Sequence, residues 1–389
     1  MVTGMRDFLP SDKSRREKAI STIRESYSAY GFTEIETPAL ESIDTLRKSA
    51  GGDNNKMTFE VLKRRIKPEA FSTRSSTELV DLGLRYDLTV PLARYFSENR
   101  GVLPPVFKAF QIGSVWRAER PQKGRYRQFV QCDMDIIGEK STLAELELII
   151  TAIRTLDKLG LTGYTVKLND RRLLDSLMSD CSVPEQLRAN VLVVLDKRDK
   201  LAAEKLNDEL QAIGLSTEQA TKLNELYSLP EDSDLKLVIE SVNRLIGREV
   251  AAFEPSLVRG MGYYTGMIYE VTVESESFSV GGGGRYDTMI GSNTPAVGFS
   301  IGFERIMGLI DTPKSSRQLT ALLYADESPQ AFGWYLELKD QLVTAGADVQ
   351  LIKRSKNTKA LLARLATEGF TKFAFVEPFV TPQVRDLTQ

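Results

Sequence analysis

The apolar and polar residues of this chain follow three successive patterns. Up to residue 170, and again from 251 to 315, helical spacing and strand-like alternation take turns. The region 171–250 is charged and helical in pattern almost throughout, whereas strands and helices alternate regularly over 316–389. The patterns predict a mixed core of residues 1–170 and 251–315, an inserted helical domain at 171–250, and a terminal α/β domain at 316–389.

A hairpin with a basic loop is predicted within residues 111–138, QIGSVWRAERPQKGRYRQFVQCDMDIIG. Its first strand ends near Trp116, and its second begins at Gln128 and alternates from there. Pro121 and Gly124 supply the turn. The loop region holds basic residues too close together for a core, at positions 117, 120, 123, 125 and 127. An anionic partner is expected, although a solvated basic loop is the alternative.

One face of this hairpin carries side chains that suit a charged ligand. Arg117 and Phe129 lie within the two limbs of the hairpin rather than at the loop tip, and Asp133 and Asp135 follow at alternate positions of the second strand. A guanidinium binds phosphate or carboxylate in bidentate fashion, a ring stacks on a base, and a carboxylate accepts from an ammonium group. The combination favours a zwitterion bound beside a nucleotide.

Upstream of the hairpin, LRYDLTVPLARYFSEN predicts a strand over 84–90 and then a helix that Pro91 opens. On such a strand Arg85, Asp87 and Thr89 share one face. A strand that forms salt bridges on the surface is the alternative. Earlier still, the pattern predicts a helix over 13–30, a strand in FTEIETPAL that a proline interrupts, and a strand in MTFEVLKRR.

Glycine, tyrosine and arginine return together after the helical region. Met267–Val273 alternates as a strand, and the turn-rich RGMGYYTG before it brings Arg259, Tyr263 and Tyr264 close together. Tyrosine pairs at strand ends belong more often to the core than to a ligand site. Further on, Gly281–Gly284 let the backbone approach a ligand closely. A flexible turn is the alternative for that glycine run.

Composition narrows the possible chemistry. A chain of 389 residues is long enough for more than one domain. The net charge of −2 gives no general attraction to nucleic acid, so RNA binding requires a local basic surface. Cys132 and Cys181 are too few and too far apart for a zinc framework or a disulfide scaffold.

The chain contains no histidine, which excludes an imidazole base or metal ligand and leaves catalysis to carboxylates, arginines and the backbone. No metal-ligating residues are assigned. The N-terminus has no apolar run of signal or membrane-spanning length, so a cytoplasmic protein is expected.

Several segments resemble the class II aminoacyl-tRNA synthetases, and specifically the histidyl-tRNA synthetase family. RAERPQKGRYRQF resembles motif two, and GFERI resembles motif three. RGMGYYTG is similar to the family's RGLDYYTG, with Gly262 in place of aspartate, and RYDLT resembles the segment that binds the substrate amino group. The helix followed by a strand with Pro38 resembles motif one, which forms the dimer interface, and GMRDFLP resembles the family's opening.

This resemblance implies an α+β fold: a class II antiparallel sheet flanked by helices, a helical insertion, and a C-terminal α/β anticodon-binding domain. It implies histidine–tRNA ligase activity in a homodimer that uses ATP, Mg²⁺, histidine and tRNA(His). The implied roles are catalysis by Arg117 and Arg259; ATP binding by Arg117, Arg125, Phe129 and Arg305; histidine binding by Asp87, Thr89, Gln131, Asp135, Arg259, Tyr263, Tyr264 and Tyr286; and contact with the tRNA acceptor end by Gln122 and Arg127.

Two alternatives stay open at this point. A regulatory paralogue, such as the synthetase-like subunit of ATP phosphoribosyltransferase, would keep the fold and lose the chemistry. An RNA-binding module without ligase activity is the other, and the near-neutral net charge disfavours it.

Overall fold

The structure of the protein is a computed structural model that describes residues 2–50, 57–122, 124–197, 201–223, 232–259, 263–291, 294–311 and 319–387. Its α-helices are α1 Pro10–Ala29, α2 Ile43–Ala50, α3 Ala70–Thr73, α4 Thr89–Asn99, α5 Leu143–Lys158, α6 Arg171–Asp180, α7 Glu185–Leu195, α8 Ala203–Ala212, α9 Thr217–Leu223, α10 Ser233–Ile246, α11 Phe303–Ile306, α12 Pro329–Thr344 and α13 Thr358–Thr367. Its strands are β1 Thr33–Glu34, β2 Leu40–Ser42, β3 Glu60–Leu62, β4 Val80–Leu84, β5 Phe107–Trp116, β6 Gln128–Ile137, β7 Tyr164–Asp170, β8 Ala251–Phe253, β9 Met267–Val273, β10 Ser279–Arg285, β11 Ala296–Gly302, β12 Leu319–Tyr324, β13 Asp348–Lys353, β14 Phe370–Val376 and β15 Arg385–Asp386.

The chain divides into two compact units. The larger comprises Met1–Asp7 and Ile20–Ile310, and the smaller comprises Phe8–Ala19 and Asp311–Gln389. The first half of α1 therefore groups with the C-terminal part of the chain, which the sequence pattern did not indicate. The division into a core, an insertion and a terminal domain stays a prediction.

The larger unit is built on a mixed sheet, whose described strands run in the order β1-β5-β6-β11-β10-β9-β7-β8. The six central strands pair antiparallel, as predicted, and β1 and β8 add a parallel pairing at each edge. A small antiparallel sheet in the order β2-β4-β3 accompanies it. Helices α6 to α10 occupy most of the described region between β7 and β8.

The predicted hairpin is confirmed. β5 and β6 pair over their whole length, from Phe107 opposite Ile137 to Trp116 opposite Gln128. β6 is buried on both faces from residue 131 onward. Its apolar side chains alternate with polar ones, and the Tyr27 hydroxyl of α1 donates to the Cys132 carbonyl from the apolar side. The polar side chains of this part of β6 face the opposite side of the sheet, where they line the cavity described below.

The predicted strand over 84–90 is wrong beyond its first residue. β4 ends at Leu84, and α4 begins at Thr89, before the proline. Asp87 accepts a hydrogen bond from the Val90 backbone N–H at 3.0 Å and so satisfies a donor at the start of α4. Arg85 is buried and donates to the carbonyls of Thr37 and Ser114. Arg85, Asp87 and Thr89 do not share a strand face.

Two other predicted strands are shorter than expected. FTEIETPAL splits at Pro38 because β1 pairs with β5 whereas β2 pairs with β4 in the other sheet. In MTFEVLKRR only Glu60–Leu62 is a strand. The glycine run is part of β10 and pairs on both sides, so it is not a flexible turn.

The described C-terminal part forms a four-stranded sheet in the order β13-β12-β14-β15. The alternation of strands and helices predicted there is confirmed, and the first three of these strands are parallel. β15 adds a short antiparallel edge that the pattern did not predict. Within the described ranges, no helix is both long and apolar enough to cross a bilayer.

Candidate active site

A cavity of about 280 Å³ opens on the polar face of the large sheet. Its walls come from β6, β10 and β11, the hairpin loop and the segment that leads into α4. The residues predicted for catalysis, ATP binding and histidine binding all line it: Asp87, Thr89, Arg117, Arg125, Phe129, Gln131, Asp135, Arg259, Tyr263, Tyr264, Tyr286 and Arg305. The fold brings them together, and their individual roles stay predictions.

Three guanidinium groups gather at the hairpin side of the cavity. Arg117 donates from Nε to the Tyr86 carbonyl at 3.0 Å, and its Cζ lies 5.1 Å from the centre of the Phe129 ring. Arg305, in the first turn of α11, donates to the Gly124 and Ser279 carbonyls. Burial, and next the neighbouring charges of Arg125 and Arg117, lower the pKa of Arg305. Positive charge concentrated in this way favours a polyanionic ligand.

The hairpin loop folds back toward Arg305. Gln122 and Arg125 exchange backbone hydrogen bonds, and Gly124 has a positive φ of 74°, which suits a glycine in a tight turn. Arg125 is exposed, and its Nη1 lies 3.4 Å from Glu119 Oε2. Lys123, one of the five basic residues of the loop, lies outside the described residues.

Buried carboxyl groups lie along another wall of the cavity. Burial raises the pKa of Asp87 to about 6 and that of Asp135 to about 7. The Tyr286 hydroxyl donates to Asp135 Oδ1 at 2.5 Å. Among the described residues, Asp87 Oδ2 is buried without a hydrogen-bonding partner. A cationic ligand placed here would stabilise the charged forms of these carboxyl groups.

Gln131 stands between these two ends of the site. Its Nε2 donates to Ser300 Oγ at 3.0 Å and approaches the Asp133 carboxylate at 3.3 Å, and Ser300 Oγ donates to Asp133 Oδ1. In the described part of the chain, Gln131 Oε1 is buried without a partner. Burial, and next the charge of Asp135, raise the pKa of Asp133 well above its usual range.

Arg259, Tyr263 and Tyr264 form a third wall of the cavity. Arg259 Nη1 lies 3.2 Å from Glu270 Oε1 on β9. The rings of Tyr263 and Tyr264 are 4.8 Å apart, and Tyr263 lies edge-on to Tyr286 at 6.2 Å. Because Arg259, Tyr263 and Tyr264 line the same cavity, the prediction that this segment brings its arginine and tyrosines together is confirmed. Gly262, where the family has aspartate, lies outside the described residues.

Glycine at two positions is required by the side chains of the site. A Cβ on Gly298 would lie 2.0 Å from Asp135 Oδ1, which faces it across the β6–β11 pair. A Cβ on Gly282 would lie 2.6 Å from the Tyr269 carbonyl oxygen of β9 and 2.7 Å from Arg259 Nη1. The strands that carry these glycines therefore leave room for functional side chains above them.

The two residues assigned to the tRNA acceptor end lie outside the cavity lining. Gln122 is exposed in the hairpin loop. Arg127 is half-buried and donates from Nε to the Glu119 carbonyl at 3.0 Å. Its backbone N–H donates to the Gly4 carbonyl. Their contact with tRNA stays a prediction.

Several residues at the site were given no individual role by the sequence. Strand alternation placed Asp133 with Asp135 on the face that suits a charged ligand, but the family resemblance assigned a role to Asp135 alone. Glu270 does not line the cavity but pairs with Arg259, and as the one charged residue in the sequence of β9, MIYEVTV, it could have been noticed. Ser300 and Glu119 carry no comparable local signal. Ser300 is brought in by the pairing of β11 with β6.

The site thus offers guanidinium groups for phosphate or carboxylate, carboxyl groups for ammonium, and rings for stacking. Among the residues that the structure describes, no three acidic or cysteine side chains are grouped to hold a metal ion by themselves.

Comparison with solved structures identifies the fold as that of class II aminoacyl-tRNA synthetases. A histidyl-tRNA synthetase from Nostoc sp. PCC 7120 matches with a TM-score of 0.75 and 24% identity, over 100% of this chain and 94% of that one. A Bacillus halodurans protein described as an ATP phosphoribosyltransferase regulatory subunit/histidyl-tRNA synthetase matches with a TM-score of 0.76 and 20% identity, over 96% and 97%. The predicted α+β fold is confirmed.

Sequence comparison defines the family. The protein-family model described as histidyl-tRNA synthetase matches residues 4–306. The histidine–tRNA ligase of Leifsonia xyli subsp. xyli is 45% identical, covering 99% of this chain and 98% of that protein. A probable histidine–tRNA ligase of Tropheryma whipplei (strain Twist) is 38% identical over 97% and 96%. This chain belongs to the histidyl-tRNA synthetase family.

Proposed function

We propose that this chain is a histidine–tRNA ligase, which activates histidine with ATP to histidyl-adenylate and transfers the histidyl group to the 3′ end of tRNA(His). The observation that carries the proposal is the cavity in which Arg117, Arg259 and Arg305 meet buried carboxyl groups and a cluster of tyrosines. Membership of the family supports histidine as the amino acid.

The proposed reaction does not require a side chain that acts as a general acid or base. The histidine carboxylate attacks the α-phosphorus of ATP and diphosphate leaves; a ribose hydroxyl of the tRNA end then attacks the adenylate carbonyl, and AMP leaves. Negative charge grows on the phosphoryl oxygens in the first step, and fixed guanidinium groups stabilise it without reorganisation. A chain without histidine residues can therefore perform this reaction.

The first group of roles concerns phosphate. Arg117 and Arg259 would hold the carboxylate and the α-phosphate from opposite sides. Arg125 and Arg305 would bind the β- and γ-phosphates, and adenine would stack between Phe129 and Arg305. Burial, and next the charges of Arg125 and Arg117, lower the pKa of Arg305, and a bound anion would offset both effects.

The second group of roles concerns the amino acid. Asp87, Thr89 and Gln131, with Asp135, would receive the α-ammonium group, while Tyr263, Tyr264 and Tyr286 would line the imidazole pocket. Asp87 Oδ2 and Gln131 Oε1 are buried and have no partner within the described part of the chain, which supports this assignment because buried acceptors are usually paired.

Mg²⁺ would enter with ATP. This ion usually binds through substrate phosphates and one or two carboxylates, so the lack of a larger acidic group in the described residues is compatible with it. Glu119, 3.4 Å from Arg125, is the carboxylate placed to share such an ion, which would neutralise phosphate charge.

The remaining partners follow from the family. A homodimer built through α1 and the segment with Pro38, tRNA contact at Gln122 and Arg127, anticodon binding by residues 316–389 and a cytoplasmic location are all proposed on the resemblance of the motifs.

The regulatory alternative has less support. The Bacillus halodurans protein shares the fold, but at 20% identity the likeness concerns the fold alone. The relatives at 45% and 38% identity are named as ligases or probable ligases. A regulatory subunit also has no need to keep all three arginines in one cavity.

Histidine-dependent exchange between ATP and diphosphate, measured without tRNA, tests the proposal. We expect exchange with histidine and essentially none with phenylalanine or glutamine, because a pocket that hydrogen-bonds its ligand rejects an analogue lacking that group by about 10⁴-fold or more. If histidine binds but no exchange occurs with Mg²⁺ and ATP, the chain is a regulatory paralogue instead.

A further inference from the structure

Three polar side chains form a closed hydrogen-bonded triangle in the cavity wall. Asp133 on β6 lies directly opposite Ser300 on β11, and Gln131 lies two residues before Asp133 on the same face. Ser300 Oγ donates to Asp133 Oδ1, and Gln131 Nε2 donates to Ser300 Oγ at 3.0 Å. The same Nε2 lies 3.4 and 3.3 Å from the two Asp133 oxygens. Asp133 and Gln131 are 3% and 8% exposed, so water competes little for these bonds.

The triangle fixes which way the Gln131 amide points. A hydroxyl has one proton, and Ser300 gives that proton to Asp133, so its oxygen can only accept from Gln131. The amide nitrogen accordingly faces the triangle, where it contacts Ser300 Oγ and Asp133. Its carbonyl oxygen, Oε1, is left buried and without a partner in the described residues, in a side chain that lines the cavity. Without the triangle, either end of the amide could face the cavity.

A donor is the natural complement of Oε1. Asp87 Oδ2, from a different part of the wall, is a second buried acceptor without a partner among the described residues. Two such acceptors in one cavity are costly unless a ligand supplies hydrogen. An ammonium group has three donors and no acceptor, so it can satisfy both oxygens.

We propose that Asp133 and Ser300 are a positioning pair: they hold the Gln131 amide with its carbonyl oxygen toward the cavity and so set the affinity for the α-ammonium group of the amino-acid substrate. The inference rests on the proposed function for the identity of that substrate. Asp133 acts here through Gln131 and does not itself contact the substrate.

The test compares histidine with imidazolepropionate, its analogue without the amino group, in calorimetric binding to the full chain. Asp133→Asn keeps the size of the side chain but lets either end of its amide face Gln131. We expect this variant to lower histidine affinity about 10- to 100-fold, as for a hydrogen bond to a charged group. Affinity for imidazolepropionate should change less than about threefold, because the analogue has no ammonium group.

Ser300→Ala is a second, smaller change and should act in the same direction. Ser26→Ala is the control, since this buried serine accepts a side-chain hydrogen bond, from the Thr155 hydroxyl, but lies outside the cavity lining. In the exchange assay the Asp133 and Ser300 variants should raise the KM for histidine, with kcat changed less than about threefold. Equal losses for both ligands would mean a merely structural role and overturn the proposal.

A double-mutant cycle separates positioning from direct contact. In a Gln131→Met background, Asp133→Asn should cost little further histidine affinity, because the amide it orients is gone. Additive losses would show that Asp133 contacts the ammonium itself, and the positioning role would fail. Exchange in the wild type decides the ligase proposal separately. A wild type that prefers histidine over imidazolepropionate by less than about twofold overturns this inference whatever the exchange assay shows.

Discussion

Arg259 is held by Glu270, with 3.2 Å between Arg259 Nη1 and Glu270 Oε1. The two groups are 19% and 25% exposed in their side chains, so neither is sealed in the core. Such a pair orients the guanidinium in the cavity that Arg259 lines. The catalytic role proposed for Arg259 depends on this orientation.

Replacing Arg259 with alanine should abolish most adenylate formation. Loss of one group that stabilises developing charge typically lowers a rate about 100- to 1,000-fold. The melting temperature should change little, because water can reach the remaining Glu270 carboxylate. Glu270→Gln is the control: it removes the ion pair but keeps the guanidinium, and should reduce exchange less than about tenfold. An equal loss in both variants would assign the effect to the pair, and not to Arg259.

Gly298→Ala should weaken histidine binding in particular. The new Cβ would meet Asp135 Oδ1 at 2.0 Å and the Tyr286 ring at 3.2 Å, so both side chains must move. Overpacking of this kind costs about 1–3 kcal/mol. We expect the KM for histidine to rise at least about tenfold and that for ATP less than about threefold.

The matched control for that change is Gly333→Ala. Gly333 lies inside α12, and none of the described residues outside the helix backbone comes within 4 Å of an added Cβ. Alanine there should stabilise the protein by about 0.5–1 kcal/mol and leave both KM values unchanged. A normal KM for histidine in Gly298→Ala would show that the Asp135 carboxyl group is not needed where the structure places it.

The hairpin was predictable because its determinants are neighbours in the sequence. Alternation defines β5 and β6, and Pro121 and Gly124 mark the turn between them. The segment before α4 was not predictable in the same way. Arg85 is held by Thr37 and Ser114, which are 48 and 29 residues away, and Asp87 turns back to the Val90 N–H. The strand-like pattern did not produce a strand there because these contacts, some of them with distant residues, fix the backbone in another conformation.

The site shows the same division. The residues that the family motifs assigned to catalysis, ATP and histidine all line one cavity, but the motifs passed over residues that act as their partners. Ser300 meets Asp133 only because β11 pairs with β6. The first half of α1 groups with residues some 300 positions later, and no local pattern carries that information. Contacts that depend on strand order or on distant segments are set by the whole fold.

Asp135→Asn should weaken histidine binding and raise the free energy of unfolding, and the size of that increase should depend on pH. Burial raises the Asp135 pKa to about 7, from an ordinary value of about 3.9. The folded chain therefore holds this proton more tightly than the unfolded chain, so the stabilisation is present below about pH 4 and is lost as pH rises to about 7. Asn resembles the protonated form at every pH and can still accept from Tyr286.

The difference in unfolding free energy between Asp135→Asn and the wild type should accordingly grow between pH 5 and pH 8, in favour of the variant. A gain on the order of 2 kcal/mol at pH 8 is expected, alongside weaker histidine binding. Denaturant unfolding at the two pH values measures it. Asp81→Asn, at an exposed position of β4, is the control for removing a carboxylate outside the cavity. A difference independent of pH in Asp135→Asn would contradict the raised pKa.

Arg6 links the N-terminal segment to both sides of the phosphate end of the cavity. Its guanidinium lies 3.5 Å from the centre of the Tyr126 ring in the hairpin loop and forms an ion pair with Glu304, the residue before Arg305. The Gly4 carbonyl nearby accepts from the Arg127 N–H at 2.8 Å. The N-terminal segment therefore contacts both the hairpin loop and α11 and can hold them together where ATP is proposed to bind.

Arg6→Ala should loosen this end of the cavity and leave the amino-acid end intact. A cation–π contact contributes about 0.5–2 kcal/mol, so the KM for ATP should rise about 3- to 30-fold while the KM for histidine changes less than about twofold. Trypsin should also cut the basic hairpin loop faster. Arg24→Ala removes an ion pair with Glu34 between half-exposed side chains and should alter neither KM, because exposed pairs contribute at most about 1 kcal/mol to stability. An unchanged KM for ATP together with unchanged cleavage in Arg6→Ala would mean that the loop holds its position without the N-terminal segment.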